Sequence, residues 1–235
     1  DSGFTYAQPY YWNIAPNRDA TITTTGMLKR GVAAAGEFRY LEPSYKGMIA
    51  GLYMPNDSLR DRNRWAWLWQ HSGSLDSPIG GLGLNLNLKR VSDADYWRDF
   101  QNNNNYKLNE RLLNSDATVS WARGDHSLLL RAQKWQTLQD PLSPIVPPYD
   151  RMPQLQYRYT PQQLPYGLEA SVEADFTRFR ANERLLKQPN ADRSYVQAEL
   201  SRPFIAPQGF ITPKLMLNAR HYSFDSSPYT TVSNK

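Results

Sequence analysis

Side chains alternate between apolar and polar character, residue by residue, along many stretches of this chain. From Gly167 to Thr177 an apolar residue stands at every second position, and Glu169, Glu173 and Asp175 stand among the positions between. A helix would spread these carboxylates around its circumference, whereas a β-strand places all of them on one side. A period of two residues therefore predicts strands with one apolar and one polar face.

The same alternation recurs along the chain and predicts an all-β fold. The segment from Gly81 to Lys89 has leucine at every second position, and Trp65, Trp67 and Trp69 fall on one face of another segment. Further alternating runs cover residues 117–122, 154–160, 196–201 and 214–220. Turn-forming residues separate the runs, which gives about a dozen strands.

Strand length and aromatic content narrow the kind of β protein. No segment holds the roughly 18 consecutive apolar residues that a membrane-spanning helix needs. Aromatic residues make up 13% of the chain, with 15 Tyr and 7 Trp. The longer runs exceed the about 5–6 residues of a typical strand, and their apolar faces end in Trp and Tyr, as in the girdle of an outer-membrane barrel. We therefore predict an antiparallel transmembrane β-barrel segment, rather than a soluble β-sandwich.

The distribution of charge, the absence of cysteine and the positions of the histidines give little indication of a catalytic or metal site. The formal net charge of +5 is scattered over the sequence, whereas a nucleic-acid-binding protein usually concentrates basic residues in one patch. The chain has no cysteine for a disulfide or a thiolate metal site. His71, His126 and His221 lie in three separate segments, without partners at metal-ligand spacing. We expect no catalytic residues, no metal site and no other cofactor.

The most distinctive stretch of the sequence lies near its start. It runs from Pro9 to Thr23 as PYYWNIAPNRDATIT, which predicts an aromatic strand, a turn at Pro16, Asn17 and Asp19, and a threonine-rich strand. Because proline has no N–H to donate, it belongs at strand edges or bulges, and in a closed barrel it marks a weak seam. The alternative interpretation of Pro9 is a strand-entry proline without a gating role.

This stretch closely resembles the start of the barrel in the LptD family of lipopolysaccharide-assembly outer-membrane proteins, also called OstA or Imp. The third strand of that family is similar to Phe38-Arg39-Tyr40-Leu41, and its Trp-rich strand and His-Ser-Gly turn are similar to residues 64–73. Its next loop resembles Val91-Ser92-Asp93 with Tyr96 and Asp99-Phe100. The matching motifs cover roughly the first 100 residues. Beyond Asn109 the evidence is strand periodicity alone.

The resemblance implies a role in lipopolysaccharide transport and no enzyme activity. The family forms a very large barrel behind a periplasmic β-jellyroll, and a lipoprotein, LptE, plugs the barrel. Lipopolysaccharide arrives from the periplasmic bridge protein LptA and leaves sideways between the first and last strands. Residues 1–235 would then be a partial outer-membrane β-barrel domain of about twelve strands that begins near residue 4. Its implied partners are lipopolysaccharide, an LptE-type plug, an LptA-type bridge and outer-membrane lipids, with no nucleic acid.

The resemblance also places one side of a lateral gate on the first two strands, at Pro9, Tyr11, Trp12, Asn13 and Thr24. Family members carry a second proline at the place of Thr24, so we expect the second strand to pair more completely here and the gate to depend on Pro9. Separately, the alternation predicts polar residues that face a lumen: Arg158, Glu169, Glu173, Asp175, Lys214 and Arg220. The basic members of this set, together with Arg131, are expected to neutralise the carboxylates across strands.

Two other functions stay open at this point. A general outer-membrane porin or receptor barrel would have an uninterrupted first strand and a polar, water-filled pore. A soluble β-rich binding protein would stay in the aqueous phase without detergent.

Overall fold

Strands make up nearly all the regular structure in this computed structural model, which describes residues 2–100, 110–182 and 188–225. A single helical turn, α1 (Tyr96–Asp99), follows β6, and Pro165–Gly167 forms a 3-10 turn before β10. None of the helices in these ranges is both long and apolar enough to cross a membrane. The strands are β1 (Thr5–Ala15), β2 (Arg18–Met27), β3 (Gly31–Leu41), β4 (Tyr45–Asp57), β5 (Arg62–Ser77), β6 (Gly80–Val91), β7 (Leu112–Arg123), β8 (His126–Thr137), β9 (Asp150–Tyr159), β10 (Glu169–Arg180), β11 (Ala191–Ser201), β12 (Phe204–Ala206), β13 (Gly209–Ile211) and β14 (Lys214–Phe224).

Twelve of these strands form one sheet, in which each strand from β1 to β10 lies beside the next strand of the chain and β11 lies beside β14. The order is β1-β2-β3-β4-β5-β6-β7-β8-β9-β10-β11-β14, while β12 and β13 form a separate hairpin between β11 and β14 in the sequence. Among the described strands, β1 and β14 each have one neighbour. The predicted all-β fold of about twelve strands is confirmed.

The alternating segments lie in strands, as predicted. Residues 81–89 fall within β6, and the alternating carboxylates of residues 169–177 fall within β10. The twelve strands of the large sheet are between 10 and 16 residues long. A tilted transmembrane strand needs about 9–11 residues, so each strand is long enough to cross a bilayer.

One predicted turn is wrong. His71-Ser72-Gly73 was expected to reverse the chain, but it lies within β5 (Arg62–Ser77), and the turn falls at residues 78–79. The Ser74 N–H donates to the carbonyl oxygen of Ser44 over 2.9 Å at this place. Pairing with the neighbouring strand therefore extends β5 through residues whose local preference favours a turn.

The chain divides into two compact units. The first unit contains Asp1–Ser74, Leu84–Ala117 and Lys134–Pro148, and the second contains Leu75–Gly83, Thr118–Gln133 and Tyr149–Lys235. The main cluster of buried apolar residues lies in the first unit: Met27, Ala33, Met54, Ala66, Leu68, Val91, Tyr96, Phe100, Leu113 and Leu138.

Strand β5 shows how differently the two sides of the sheet are covered in the first unit. Trp67 and Trp69 are 39% and 37% exposed, whereas Ala66 and Leu68 are 3% and 1% exposed. Since consecutive side chains of a strand point to opposite sides, one side is covered and the other is open. We name the open side, which holds Trp65, Trp67 and Trp69, the Trp face.

The covered side of β5 is named the α1 face, because the segment containing α1 packs against it. Tyr96 and Phe100 of that segment are buried in one cluster with Ala66, Leu68 and Met54. Met54 lies opposite Arg64 in the β4–β5 ladder. The apolar core of the first unit therefore lies on the side of the sheet opposite its tryptophans.

Candidate functional site

The first two strands form a hairpin with a continuous register over most of its length. β1 pairs with β2 from Thr5 opposite Met27 to Asn13 opposite Asp19. Pro9 lies opposite Thr23 in the middle of this ladder. A proline thus occupies the centre of the first strand without shifting the register of the hairpin.

The ladder shows which edge of β1 lacks a hydrogen-bond donor. The Leu28 N–H donates to the carbonyl oxygen of Phe4 over 2.9 Å, which identifies a hydrogen-bonded pair. Hydrogen-bonded and non-hydrogen-bonded pairs alternate along an antiparallel ladder, so Pro9 and Thr23 form a non-hydrogen-bonded pair. The ring nitrogen of Pro9 therefore points away from β2. The missing donor belongs to the outer edge of β1, and the hairpin itself loses no bond.

Thr24, unlike Pro9, belongs to a pair whose backbone groups bond between β1 and β2. It lies opposite Gln8, one step from the Pro9 pair, and so belongs to a hydrogen-bonded pair. Proline at position 24 would remove a donor between β1 and β2. With threonine there, β2 keeps its pairing with β1 and also pairs with β3, where Thr24 lies opposite Ala34.

The turn between β1 and β2 consists of Pro16 and Asn17. β1 contains a bulge just before it, because the register shifts between Asn13 and Ala15. The Asn17 side-chain amide donates to Glu42 Oε1 over 2.8 Å. The tip of the first hairpin is thereby tied to the turn between β3 and β4.

Asp19, grouped with the turn in the sequence analysis, lies in β2 and takes part in the ladder. Arg39 donates to both carboxylate oxygens of Asp19 over 2.8 Å. The Tyr11 hydroxyl donates to Asp19 over 3.3 Å. Tyr11 and Asn13 lie on this polar side of β1, and Trp12 lies on the opposite side. The expected gate residues therefore divide between two faces of one strand pair.

The second unit contains the polar residues that the alternation assigned to a lumen. The registers of β9, β10, β11 and β14 place all of them on one side of the sheet, named the carboxylate face: Arg158, Glu169, Glu173, Asp175, Lys214 and Arg220. The opposite side, named the aliphatic face, holds Val172, Val196 and Leu217.

Ion pairs across neighbouring strands partly neutralise the carboxylate face. Arg158 Nη2 lies 2.9 Å from Glu173 Oε2, as the cross-strand prediction expected. Lys214 Nζ lies 2.6 Å from Glu199 Oε1. The face therefore presents paired acids and bases, rather than a surface of one sign.

Asp175 is the buried carboxylate of this face, and its partners were not predicted. It accepts hydrogen bonds from Gln154 Nε2 over 2.7 Å, from Thr177 Oγ1 over 2.7 Å and from Arg193 Nη2 over 2.8 Å. These donors come from β9, β10 and β11. A carboxylate held on three sides fixes the relative position of the three strands.

Rings with one polar atom cluster on the Trp face of the first unit. The Tyr40 hydroxyl lies 2.7 Å from His71 Nδ1, and Trp69 Nε1 donates to the same hydroxyl over 3.2 Å. The Tyr45 ring stacks on His71 with centroids 5.9 Å apart. Amphipathic rings of this kind are typical of the boundary between a membrane and water.

A similar cluster lies on the aliphatic face of the second unit. The His126 ring stacks on Tyr159 at 4.8 Å between centroids, and His126 Nδ1 lies 2.7 Å from the Tyr157 hydroxyl. These three residues adjoin Leu128, which lies opposite Tyr157. An apolar band that ends in rings with polar tips matches the aromatic girdle predicted from composition.

Sequence analysis did not predict a compact group of charges on the α1 face. It joins the β2–β3 turn, the end of β4, the β4–β5 turn, β5 and the segment after β6. We name it the Arg–Asp cluster, formed by Arg30, Asp57, Arg60, Arg64, Asp93 and Asp99.

Arg64 is the centre of the Arg–Asp cluster and is fully buried. Its Nη1 atom lies 3.1 Å from Asp57 Oδ2 and 2.9 Å from Asp99 Oδ2, and its Nε atom lies 2.6 Å from Asp93 Oδ2. Arg30 bridges two of these carboxylates, with 2.6 Å to Asp57 and 3.0 Å to Asp99. Equal numbers of acids and bases make the cluster neutral, as buried charges require.

Electrostatics keep Asp99 ionised within this cluster. Burial by itself would raise the pKa of Asp99, but hydrogen bonds from Arg60, Arg64 and Arg30 outweigh it and hold the pKa well below its usual range. The hydrogen bond to Asp99 in turn raises the pKa of Arg60. Across the described residues, no group of three or more His, Cys, Asp or Glu side chains is placed to hold a metal ion. Each carboxylate of the cluster is paired with at least one arginine, which makes the cluster an ion-pair network.

Two aromatic rings cover the cluster. The guanidinium of Arg64 lies 5.1 Å from the Phe100 ring centroid and 5.8 Å from that of Tyr96. These rings stack on each other at 4.6 Å, and burial raises the pKa of the Tyr96 hydroxyl. One signal in the sequence pointed here, since Arg64 shares the side of β5 that holds Ala66 and Leu68.

Comparison with known proteins identifies the family. The family model described as LPS transport system D, LptD, matches residues 62–234. The LPS-assembly protein LptD of Acidovorax sp. (strain JS42) is 61% identical over 231 residues, which cover 96% of this chain and 28% of the relative. The protein of the same name from Paracidovorax citrulli is 58% identical, with 96% and 28% covered, and that from Cupriavidus necator is 38% identical, with 99% and 28% covered.

The chain therefore spans a little over a quarter of the length of these relatives. The family model extends the similarity well beyond the motifs of the first hundred residues, into strands where periodicity was the sole sequence evidence. The predicted outer-membrane location is confirmed. With most of its length matched by the family model, the chain belongs to the LPS transport system D (LptD) family.

Proposed function

We propose that this chain forms part of the wall of an outer-membrane barrel that assembles lipopolysaccharide at the cell surface, and that β1 is one side of its lateral gate. The relatives are named LPS-assembly proteins. The observation that supports the gate is the direction of the Pro9 nitrogen, which points away from β2. The bond that Pro9 cannot make is one that β1 would form with a strand on its other edge.

The physical problem is to move an amphipathic lipid between two environments. Acyl chains must stay out of water, and anionic sugars must stay out of hydrocarbon. The first unit offers an apolar side with Trp67, and the second unit offers an apolar side with Val196 and a polar side with Glu173 and Arg158. A wall of this kind serves both parts of the lipid if one of its seams opens.

Opening a seam inside a membrane breaks hydrogen bonds where water cannot replace them. Each unsatisfied backbone group in hydrocarbon costs several kcal/mol. Pro9 leaves one such bond unformed on the outer edge of β1, so separation there is easier than at a complete ladder. The paired position Thr24 keeps β1 attached to β2 while the outer edge opens.

The partners follow from the same proposal. Lipopolysaccharide sugars would pass along the polar side, where an LptE-type plug lipoprotein would also fit. An LptA-type bridge would deliver the lipid through a jellyroll outside this segment. Transport requires no catalytic residue in this chain, because the work of pushing the lipid would be done upstream.

The test restores the missing donor in the full-length protein. Pro9→Ala adds an N–H to the outer edge of β1, so we expect a tighter seam and less lipopolysaccharide at the cell surface. Surface lipopolysaccharide is measured in cells that carry the variant alone, with its level in the membrane checked. Undiminished delivery at a normal protein level would contradict the gate.

A matched control moves the proline by one residue. The double variant Gln8→Pro with Pro9→Ala keeps the number of prolines but directs the missing donor toward β2. We expect it to deliver as poorly as Pro9→Ala, because the outer edge is complete in both. A disulfide between β1 and the final strand should stop delivery, and a reductant should restore it.

A further inference from the structure

The hairpin formed by β12 and β13 is apolar on both of its sides. Phe204 lies opposite Ile211, and Ile205 lies opposite Phe210, so each side of the hairpin presents one aromatic and one aliphatic residue. Their exposed fractions are 49% for Phe204, 73% for Ile211, 83% for Ile205 and 78% for Phe210. A hairpin in water would keep at least one side polar.

The composition around this hairpin is equally unusual. Residues 203–213 contain no charged side chain, whereas Arg202 and Lys214 stand immediately before and after them. Two strands of three residues are too short to be stable by themselves in water. Contiguous apolar surface of this kind marks a contact with another phase or partner.

The base of the hairpin follows directly on the paired ends of β11 and β14. The Arg202 N–H donates to the carbonyl oxygen of Pro213 over 3.2 Å, which closes the base. One step into the sheet, Leu200 lies opposite Leu215 on the aliphatic face. The apolar hairpin therefore extends from the end of the sheet at which this apolar pair lies.

The charges at the base favour a lipid as the occupant. The guanidinium of Arg202 lies over the Phe204 ring at 4.7 Å. In this arrangement the aliphatic part of Arg202 and the Phe204 ring are apolar, and the guanidinium can reach lipid headgroups. Interfacial membrane segments combine basic residues with Phe and Leu in this way and lie about 5–10 Å into the headgroup boundary.

We propose that the β12–β13 hairpin is a membrane-contacting foot, whose Phe204, Ile205, Phe210 and Ile211 side chains enter the interfacial region of the bilayer. The inference rests on the proposed placement of the aliphatic face against lipid. The foot would hold the ends of β11 and β14 at a fixed depth in the membrane. The occupant is phospholipid rather than a protein partner, and the test distinguishes the two.

The test uses spin labels in the full-length protein reconstituted into phospholipid vesicles. Single cysteines replace Ile205 or Phe210, and the labelled sites are compared for collision with oxygen, which concentrates in lipid, and with a water-soluble nickel chelate. Matched sites on β14 are Leu217, on the aliphatic face, and Asn218, on the carboxylate face. We expect the two hairpin labels to collide with oxygen and to be shielded from nickel, as at Leu217.

Each outcome has a distinct meaning. Hairpin labels open to nickel would place the hairpin in water, and labels shielded from both reagents would place it under protein; either result overturns the foot. The Leu217 label tests the proposed function separately. If it is shielded from oxygen or open to nickel, the membrane placement of the aliphatic face fails first, and the foot fails with it.

Discussion

Arg64 of β5 binds Asp99 of α1 over 2.9 Å, although 35 residues separate them in the chain. Their contact attaches the segment after β6 to the α1 face of the sheet. Both side chains lie out of water, at no more than 8% exposure.

Removing Arg64 should destabilise the protein severely. Arg64→Ala removes the arginine that contacts all three carboxylates, Asp57, Asp93 and Asp99, and breaking a buried pair in this way costs about 3–5 kcal/mol. The control is Arg62→Ala, because Arg62 is 48% exposed and exposed pairs contribute about 0–1 kcal/mol. Denaturant unfolding of the full-length protein in detergent compares the two, and equal midpoints would refute a stabilising role for the cluster.

Acid should loosen α1 from the sheet. The arginines hold the pKa of Asp99 below its usual value despite burial, so the stabilisation is complete above the unfolded carboxyl pKa of about 3.9. It is lost as the pH falls below that value toward the lower pKa of the folded state. Hydrogen exchange of residues 92–100 as a function of pH measures the attachment.

Two variants distinguish the contribution of Asp99 to this acid dependence from that of neighbouring carboxylates. Asp99→Asn removes the titrating group, so we expect faster exchange at neutral pH and a weaker acid dependence. Asp95→Asn, at the margin of the cluster, should keep the acid dependence of the parent protein. An unchanged acid profile in Asp99→Asn would show that another group controls the release.

On the carboxylate face, Arg193 should matter more for stability than Arg158. Arg193→Ala leaves the buried Asp175 with two neutral donors, Gln154 and Thr177, at a cost of about 1–3 kcal/mol. Arg158→Ala removes the partner of Glu173 at an exposed site, at a cost of about 0–1 kcal/mol. Unfolding of both variants under the same conditions tests the order, and a larger loss from Arg158→Ala would reverse it.

Gly47 should tolerate no side chain. A methyl group at this position would lie 2.5 Å from the backbone oxygen of Gln70 and would collide with the ring of Tyr40. Gly47→Ala should therefore cost about 1–3 kcal/mol and disturb the contact between Tyr40 and His71. Gly36→Ala is the control, since its methyl group would meet nothing within 4 Å. Equal stability of the two variants would mean that the ring moves aside freely.

Alternation along the sequence predicted the strands and the sharing of faces, because parity alone decides the side of a strand on which a residue lies. Glu173 and Arg158 were placed on one face this way, and their registers agree. The alternation of side chains does not show at which turn a strand ends. Cross-strand bonds decided that for β5, where Ser74 bonds to Ser44 and the expected turn at residues 71–73 is extended.

Local sequence patterns could not predict the Arg–Asp cluster, because its residues are far apart in the chain. Arg60 and Asp99 are 39 residues apart, and their contact exists because α1 folds back onto the sheet. The same holds for Asp175 and Arg193, which belong to different strands and come together through the register of β10 and β11. Pro9 was singled out from sequence, but the direction of its missing donor required the ladder.

Cysteine labelling of β11 shows whether the sheet of the second unit separates lipid from water. Single cysteines at Val196 and Ala198, on the aliphatic face, and at Gln197 and Glu199, on the carboxylate face, are introduced into the full-length protein in native membranes. We expect a lipid-dissolved maleimide to label positions 196 and 198, and a water-soluble maleimide to label positions 197 and 199. Labelling of all four positions by the same reagent would show that the sheet does not separate lipid from water.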